Sequence, residues 1–256
     1  MNNLPAISAS VRKTVQSLAT PKGRREAGAF LAEGTRCVID SLPHFGLRAL
    51  YCTAEWAAAH PEAAAKGATV VARREIERMS QQQSPQPVLA VFDLPETGPY
   101  VYDGKMALAL DGVQDPGNLG TIIRLADWFG IRHIMAGAGT ADAFNPKVVQ
   151  ATMGALARVK VHRTDCLADD LAATGAPVIG TFLDGGDLYA DPPGLDPQPI
   201  VVMGNEGNGI SEAVSRTVSR RVRIPSFPVG APTGESLNVA MATGIIISEF
   251  SRRIYG

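Results

Sequence analysis

From Met106 onward the chain alternates short apolar runs with helical patterns, and few folds tolerate that rhythm. Ala107–Leu110, His133–Met135, Pro177–Phe182 and Ile200–Met203 are largely apolar runs. A strand covered on both faces reads as a near-continuous apolar run, so this is the pattern of parallel strands buried between helices. Helical periodicity lies between the runs, near 118–129 and 146–157, which makes a βαβ series around a parallel sheet. The 146–157 segment is expected to pack on that sheet. A last helix closes the chain, carrying Val239, Ala242, Ile246 and Phe250 on one side. Ser236 is expected as its cap, because a serine oxygen accepts from the exposed N–H groups of a helix start.

Upstream, the pattern is that of a smaller α/β unit. A helix is expected near 8–19, a short strand at 30–34, and a helix near 35–42. Leu47–Cys52, Thr69–Val71 and Val88–Phe92 read as further strands. Residues 94–105 are rich in proline and glycine and read as a linker. The expected organisation is a small module over 1–95 with a basic N-terminal arm, a linker over 96–105, and a larger α/β domain over 106–256.

Composition excludes several classes. The 256 residues are 45% hydrophobic, enough for an ordinary core. No apolar run reaches the roughly 18 residues that span a bilayer, and Met1-Asn2-Asn3-Leu4-Pro5 lacks the charged-then-apolar pattern of a signal peptide. Cys37, Cys52 and Cys166 are odd in number and widely spaced, which fits free thiols in a reducing cytoplasm. The four histidines are scattered, so no metal site is expected. Net charge is −1, yet Arg12, Lys13, Lys22, Arg24, Arg25 and Arg36 face only Glu26 and Glu33 within residues 1–36. That local excess is either a solvated helical face or an arm that contacts phosphates.

Three separate segments carry the chemistry. The first is Asp111-Gly112-Val113-Gln114-Asp115-Pro116-Gly117-Asn118-Leu119-Gly120, continuing to Arg124. The second is Met203-Gly204-Asn205-Glu206-Gly207-Asn208-Gly209. The third starts at Ile224-Pro225 and resumes at Glu235-Ser236-Leu237-Asn238-Val239-Ala240. Glycines after the run Ile200–Met203 allow tight turns and close backbone approach to a ligand. They do not make a dinucleotide loop. The spacing is G-x-x-G-x-G, and some twenty residues on stands Arg220-Arg221-Val222-Arg223, with no acid to hold a ribose.

In this order the three segments resemble the signature motifs of the SpoU (TrmH) family of RNA ribose 2′-O-methyltransferases, in the SPOUT superfamily. The resemblance covers 106–252 firmly and 8–95 more loosely, where the first module is similar to the family's RNA-binding module. It implies a C-terminal domain with a parallel sheet and a trefoil knot over 200–240, S-adenosylmethionine as cofactor, and RNA as substrate, ribosomal more readily than transfer RNA. It implies a homodimer with the site near the subunit interface. The positions matching Gly204, Ile224 and Leu237 contact the cofactor in the family, and Met203, Gly209 and Asn238 lie beside them in the same motifs. Arg124 matches an arginine that contacts the reacting nucleotide. A guanidinium keeps its proton in nearly all settings, so stabilising a developing alkoxide suits it better than removing a proton. Asn118, Glu206, Ser236 and Asn238 match the other polar positions of the family's site. Glu206 could pair with Arg124 or with an asparagine. The loop between Ile224 and Leu237 is longer than in many relatives. Two other readings stay open: an RNA-binding protein that keeps the fold without catalysis, and a base methyltransferase on the same scaffold.

Overall fold

The computed structural model describes residues 4–228, 234 and 236–256. In chain order the first part contains α1 (Ala9–Ser17), α2 (Pro21–Ala27), β1 (Ala29–Glu33), α3 (Thr35–Ser41), β2 (Leu47–Cys52), α4 (Ala54–Ala59), α5 (Pro61–Ala64), β3 (Ala68–Val70), α6 (Arg73–Met79) and β4 (Val88–Asp93). There follow β5 (Ala107–Asp111), α7 (Pro116–Trp128), β6 (His133–Ala136), α8 (Pro146–Thr152), β7 (Lys160–Arg163), α9 (Leu167–Thr174), β8 (Val178–Asp187), β9 (Ile200–Gly204), α10 (Glu212–Ser215), β10 (Arg220–Arg223) and α11 (Val239–Tyr255). The chain forms two compact units. One is 1–96 together with 142–158; the other is 97–141 together with 159–256.

The first unit holds a four-stranded sheet in the order β1-β4-β2-β3. All five residues of β1 are buried, so the strand is covered on both faces. Alternation sends Leu31 and its cross-strand neighbour Val91 to one face, where Val15, Leu18, Ile76 and Met79 close over them. It sends Phe30 and its partner Phe92 to the other, against Phe45 and Phe144. Phe144 belongs to the returning segment 142–158. There α8 packs on β1 and α3, and the Cys37 thiol donates to Val149 O at 3.6 Å. The expectation that 146–157 packs on the parallel sheet is therefore corrected. The helix is also shorter than expected. It stops at Thr152 because Met153 and Gly154 both take left-handed backbone, and a single 3-10 turn, Ala155–Ala157, follows.

The helix expected near 8–19 is α1, Ala9–Ser17, and a second helix that was not expected, α2, follows it directly. Leu18 ends the first, and Thr20 caps the second by accepting from Gly23 N, with Pro21 in its first turn. This turn redirects part of the basic arm. Arg24 is 1% exposed; it donates to Leu18 O at 2.7 Å and through two nitrogens to Asp142 Oδ2, at 3.1 and 2.5 Å. It is a core ion pair and not a phosphate contact. Arg12 pairs with Glu75 at 3.0 Å, while Lys13 and Arg25 are exposed.

The second unit holds a six-stranded sheet in the order β10-β8-β9-β5-β6-β7, parallel throughout. Ala107, Ala109, Ile200 and Val202 face Met135, Leu167 and Leu171 in one core layer. On the side chains' opposite alternation, Leu108 neighbours Val201 and Leu110 neighbours Met203, all buried. The last helix, α11, packs along α7. Its buried residues are Val239, Ala240, Thr243, Ile246, Ile247 and Phe250; Thr243, and not Ala242, is buried between Val239 and Ile246, with its hydroxyl returned to Val239 O at 2.7 Å. Its cap is Asn238, whose side-chain oxygen accepts from Ala240 N at 3.0 Å and Met241 N at 3.2 Å. Ser236, expected in that role, lies two residues too early and is exposed.

The segment expected as a linker is pinned to this second unit. The His162 Nδ1–H donates to Gly98 O at 2.8 Å, since a carbonyl only accepts. Tyr102 donates its hydroxyl to Gln198 O at 2.5 Å, and Gln198 Oε1 accepts from Met106 N at 2.9 Å. Tyr100 and Tyr102 pack on the core below.

Candidate active site

Parallel strands release their following loops at one edge of a sheet, which is where sites of open α/β sheets form. Here β5 and β9 are direct neighbours, with Asp111 beside Gly204 at their ends. The first two motif segments are therefore adjacent because of register alone. Asp115 caps α7 by accepting from Asn118 N at 2.8 Å, with Pro116 in the first helical turn. That turn presents the Asn118 side chain.

Asn118 is the point where the three segments meet. Its Nδ2 donates to Glu206 Oε1 at 2.8 Å, and its Oδ1 accepts from Asn238 Nδ2 at 2.9 Å. The direction of each bond is forced. A carboxylate only accepts, so Asn118 must offer its amino group to Glu206 and its oxygen to Asn238. Asn238 must then turn its amino group to Asn118, leaving its own oxygen for the N–H groups of α11. Polarity thus runs from the Glu206 carboxylate through two amides to a helix start. Glu206 is paired with the asparagine and not with Arg124.

The loop that carries Glu206 is tightly built. Asn205 and Gly209 exchange two backbone hydrogen bonds, both 2.9 Å. The Asn205 amide donates to Gly112 O at 2.8 Å, and its oxygen accepts from Gly207 N at 2.9 Å and Asn208 N at 3.0 Å. Ser211 N donates to Asp111 Oδ2 at 2.6 Å. Gly204 admits no side chain, since a Cβ there would lie 2.3 Å from the Gly209 carbonyl carbon. Thr140, 3% exposed, steadies the first segment by donating to Leu110 O at 3.0 Å and accepting from Gly112 N at 3.2 Å. Asn205, Asp111 and Thr140 were not among the residues expected from sequence. The first two stand inside the motif segments, so their position was a signal; buried Thr140 carries none.

The other expected residues are placed as follows. Met203 is buried in β9. Ile224 follows β10 and is half-buried, and Leu237 is 53% exposed, large for a leucine. Ser236 is exposed. Residues 229–233 and Glu235, in the loop that reads as longer than usual, lie outside the described residues. Arg124 is exposed and makes no hydrogen bond or ion pair with a described residue. Six residues from Asn118 are about 9 Å along the axis and roughly 240° around it, so Arg124 stands apart from the hydrogen-bonded chain. Among the described residues no group of three or more His, Cys, Asp or Glu could hold a metal ion. What the site offers is loop backbone, two apolar side chains that solvent can reach, and an oriented row of amides. Such a donor set fits a nucleoside-like ligand with an apolar ring and polar edges.

Comparison with known proteins agrees with that character. Residues 105–248 match the model of the SpoU rRNA Methylase family, and residues 11–90 match an MRM3-like substrate binding domain. The chain is 31% identical over 238 residues to the 23S rRNA (guanosine(2553)-2'-O)-methyltransferase RlmP of Bacillus subtilis, covering 92% of this chain and 93% of that one. A TrmH-family structure from Porphyromonas gingivalis superposes with TM-score 0.86 at 42% identity, over 97% of this chain and 100% of that one. An AdoMet-bound rRNA methyltransferase from Sinorhizobium meliloti superposes with TM-score 0.82 at 32% identity, over 99% and 98%.

Proposed function

The chain belongs to the SpoU rRNA methylase family, and from that premise we propose that it methylates a ribose 2′-hydroxyl of ribosomal RNA with S-adenosylmethionine as donor. The observation that carries this reading is the Glu206–Asn118–Asn238 chain of hydrogen bonds, which draws one polar residue from each motif into a single oriented row. When bound, the cofactor supplies an activated methyl group. Backbone groups of Met203, Gly204 and Gly209 would hold it, with Ile224 and Leu237 against its ring and Asn238 at the margin.

The residues of the chain do the rest by positioning. Asn118 and Asn238 orient the ribose, with Glu206 fixing which end of each amide faces outward. Ser236 completes the polar rim. Arg124, exposed and without a described partner, is available to the RNA and stabilises the alkoxide as it develops. The first unit engages the RNA around the target. A trefoil knot that brings the second and third segments together is the expected form of the region 200–240, of which 229–233 and Glu235 lie outside the described residues. A second copy of the chain covers the exposed apolar side chains of α7 and α11, where Trp128 is 84%, Tyr255 70% and Met241 62% exposed. The cytoplasm is the fitting compartment, and among the described residues no helix is long and apolar enough to cross a membrane.

The test is nucleoside analysis. Protein-free ribosomal RNA incubated with the chain and methyl-labelled S-adenosylmethionine should yield label in one 2′-O-methylated nucleoside. Label in a methylated base would establish the base-modifying reading. RNA binding without any transfer would establish the non-catalytic one.

A further inference from the structure

We propose that Asn205 is the positioning residue that sets the site's hydrogen-bonded row, acting through Glu206. This deepens the reading above and rests on it. The side chain of Asn205 works in two directions that no other side chain of its size can serve together. It must donate toward Gly112 O, at 2.8 Å, and accept from Gly207 N and Asn208 N, at 2.9 and 3.0 Å. Its backbone meanwhile closes the loop on Gly209 through two bonds of 2.9 Å. Glu206 is the next residue, held between these fixed points. The donor arm ties the loop to the exit of β5, the strand that leads into α7 and Asn118. Asn205 therefore fixes the loop bearing Glu206 relative to the segment bearing Asn118, although its own side-chain hydrogen bonds go to backbone groups and to neither of those side chains. The bond of Ser211 N to Asp111 Oδ2, at 2.6 Å, anchors the far side of the same loop to the same strand end. With that second anchor in place, losing Asn205 should tilt the loop and leave the fold standing.

The amide is half-buried, so an alanine at this position opens no large cavity. An aspartate keeps both acceptor contacts but sets a carboxylate oxygen against Gly112 O. Both N205A and N205D should thus misplace Glu206, and a displacement on the order of 1 Å can cost about 10²-fold in rate.

The test is a double-mutant cycle in single-turnover methyl transfer to protein-free ribosomal RNA, with N205A, N205D, E206Q, N205A/E206Q and N205D/E206Q. Melting temperatures establish that each variant is folded; if N205A is not, N205D carries the cycle. Each single variant should lose about 10- to 100-fold in rate. Each double variant should fall within about threefold of E206Q alone, because a residue acting through Glu206 has nothing left to position. A merely structural role would instead lower the melting temperature and multiply with E206Q. Multiplying losses, or a parental rate in N205A when E206Q is impaired, would overturn the proposal and leave the function standing. A parental rate in E206Q, or no transfer by the unaltered protein, would overturn the reading of the site itself.

Discussion

Arg24 and Arg25 are neighbours in sequence with opposite environments. Arg24 is buried on Asp142 Oδ2 and Leu18 O, whereas the Arg25 side chain is exposed and has no ion pair with a described residue. Removing one partner of a buried pair leaves a charge without compensation, at a cost of about 3 kcal/mol or more. Arg24→Ala should therefore lower the melting temperature sharply. Arg25→Glu should leave stability alone, weaken RNA binding, and flatten its salt dependence by roughly one unit. Titrating both variants against ribosomal RNA at several salt concentrations, after melting each, separates the two roles; equal stability of both would contradict the burial of Arg24. The local excess of positive charge was legible in the sequence. Its direction was not, because no helix was expected beyond residue 19, and it is α2, capped by Thr20, that carries Arg24 inward. Arg124 poses the reverse case. Its exposure is compatible with a surface arginine, and only its motif position singles it out. Arg124→Ala should keep the fold and cofactor affinity and lose on the order of 10²–10³ in methyl transfer. Single-turnover transfer at the parental rate would return it to the surface.

At the scale of elements, the helix start at Asn238 does two jobs with one amide. Its oxygen caps α11 and its amino group holds Asn118. Asn238→Asp keeps the cap, and a carboxylate suits a helix N-terminus. It also places an acceptor against Asn118 Oδ1. The expected result is a melting temperature close to parental with methyl transfer strongly reduced; parental activity would show that the row of amides is dispensable. The strap over 98–102 is a second such element. His162 spends its Nδ1–H on Gly98 O, so neutral His133 must donate from Nδ1 to His162 Nε2, 3.0 Å away. Burial holds the His133 ring below its ordinary value; facing His162 lowers it further, Asp103 opposes, and Lys160 adds to the lowering. The folded protein then binds fewer protons than the unfolded chain, so stability rises with pH in that window. The contribution is complete above about pH 6.5 and is lost as pH falls through the depressed value. Melting temperature should drop on acidification toward about pH 5, and less so in His133→Gln; identical pH profiles would exclude the pair as the cause. The buried strands of the second unit were readable because side chains covered on both faces must all be apolar. The strap was not, because proline and glycine mark a linker and a pinned segment alike, and what pins this one is its own Tyr102 on the distant Gln198 O and the distant His162 on Gly98 O.

On the scale of the whole molecule, the least legible feature is the return of 142–158 to the first unit. Helical periodicity reveals that α8 has an apolar side, yet says nothing about which sheet receives it. Val148 and Val149 would suit either core. The chain's two-part organisation was nonetheless apparent in the change of rhythm at Met106. The return has a testable cost for the isolated module. A fragment of residues 1–96 keeps Arg24 and Phe30 but lacks Asp142 and Phe144, their partners. It should be largely unfolded, or melt well below the intact protein, when followed by circular dichroism; a fragment with intact-like melting would show that the returning segment is ornamental. There is a temporal side to this architecture. Chains emerge from the ribosome N-terminus first, and domains usually complete themselves in that order. Here the guanidinium of Arg24 waits 118 positions for its carboxylate, while β5, α7 and β6 are translated in between. The earliest-made part of the protein is thus not complete until residue 158 has emerged, and the nascent chain must carry an open aromatic core past the birth of two of the second sheet's six strands.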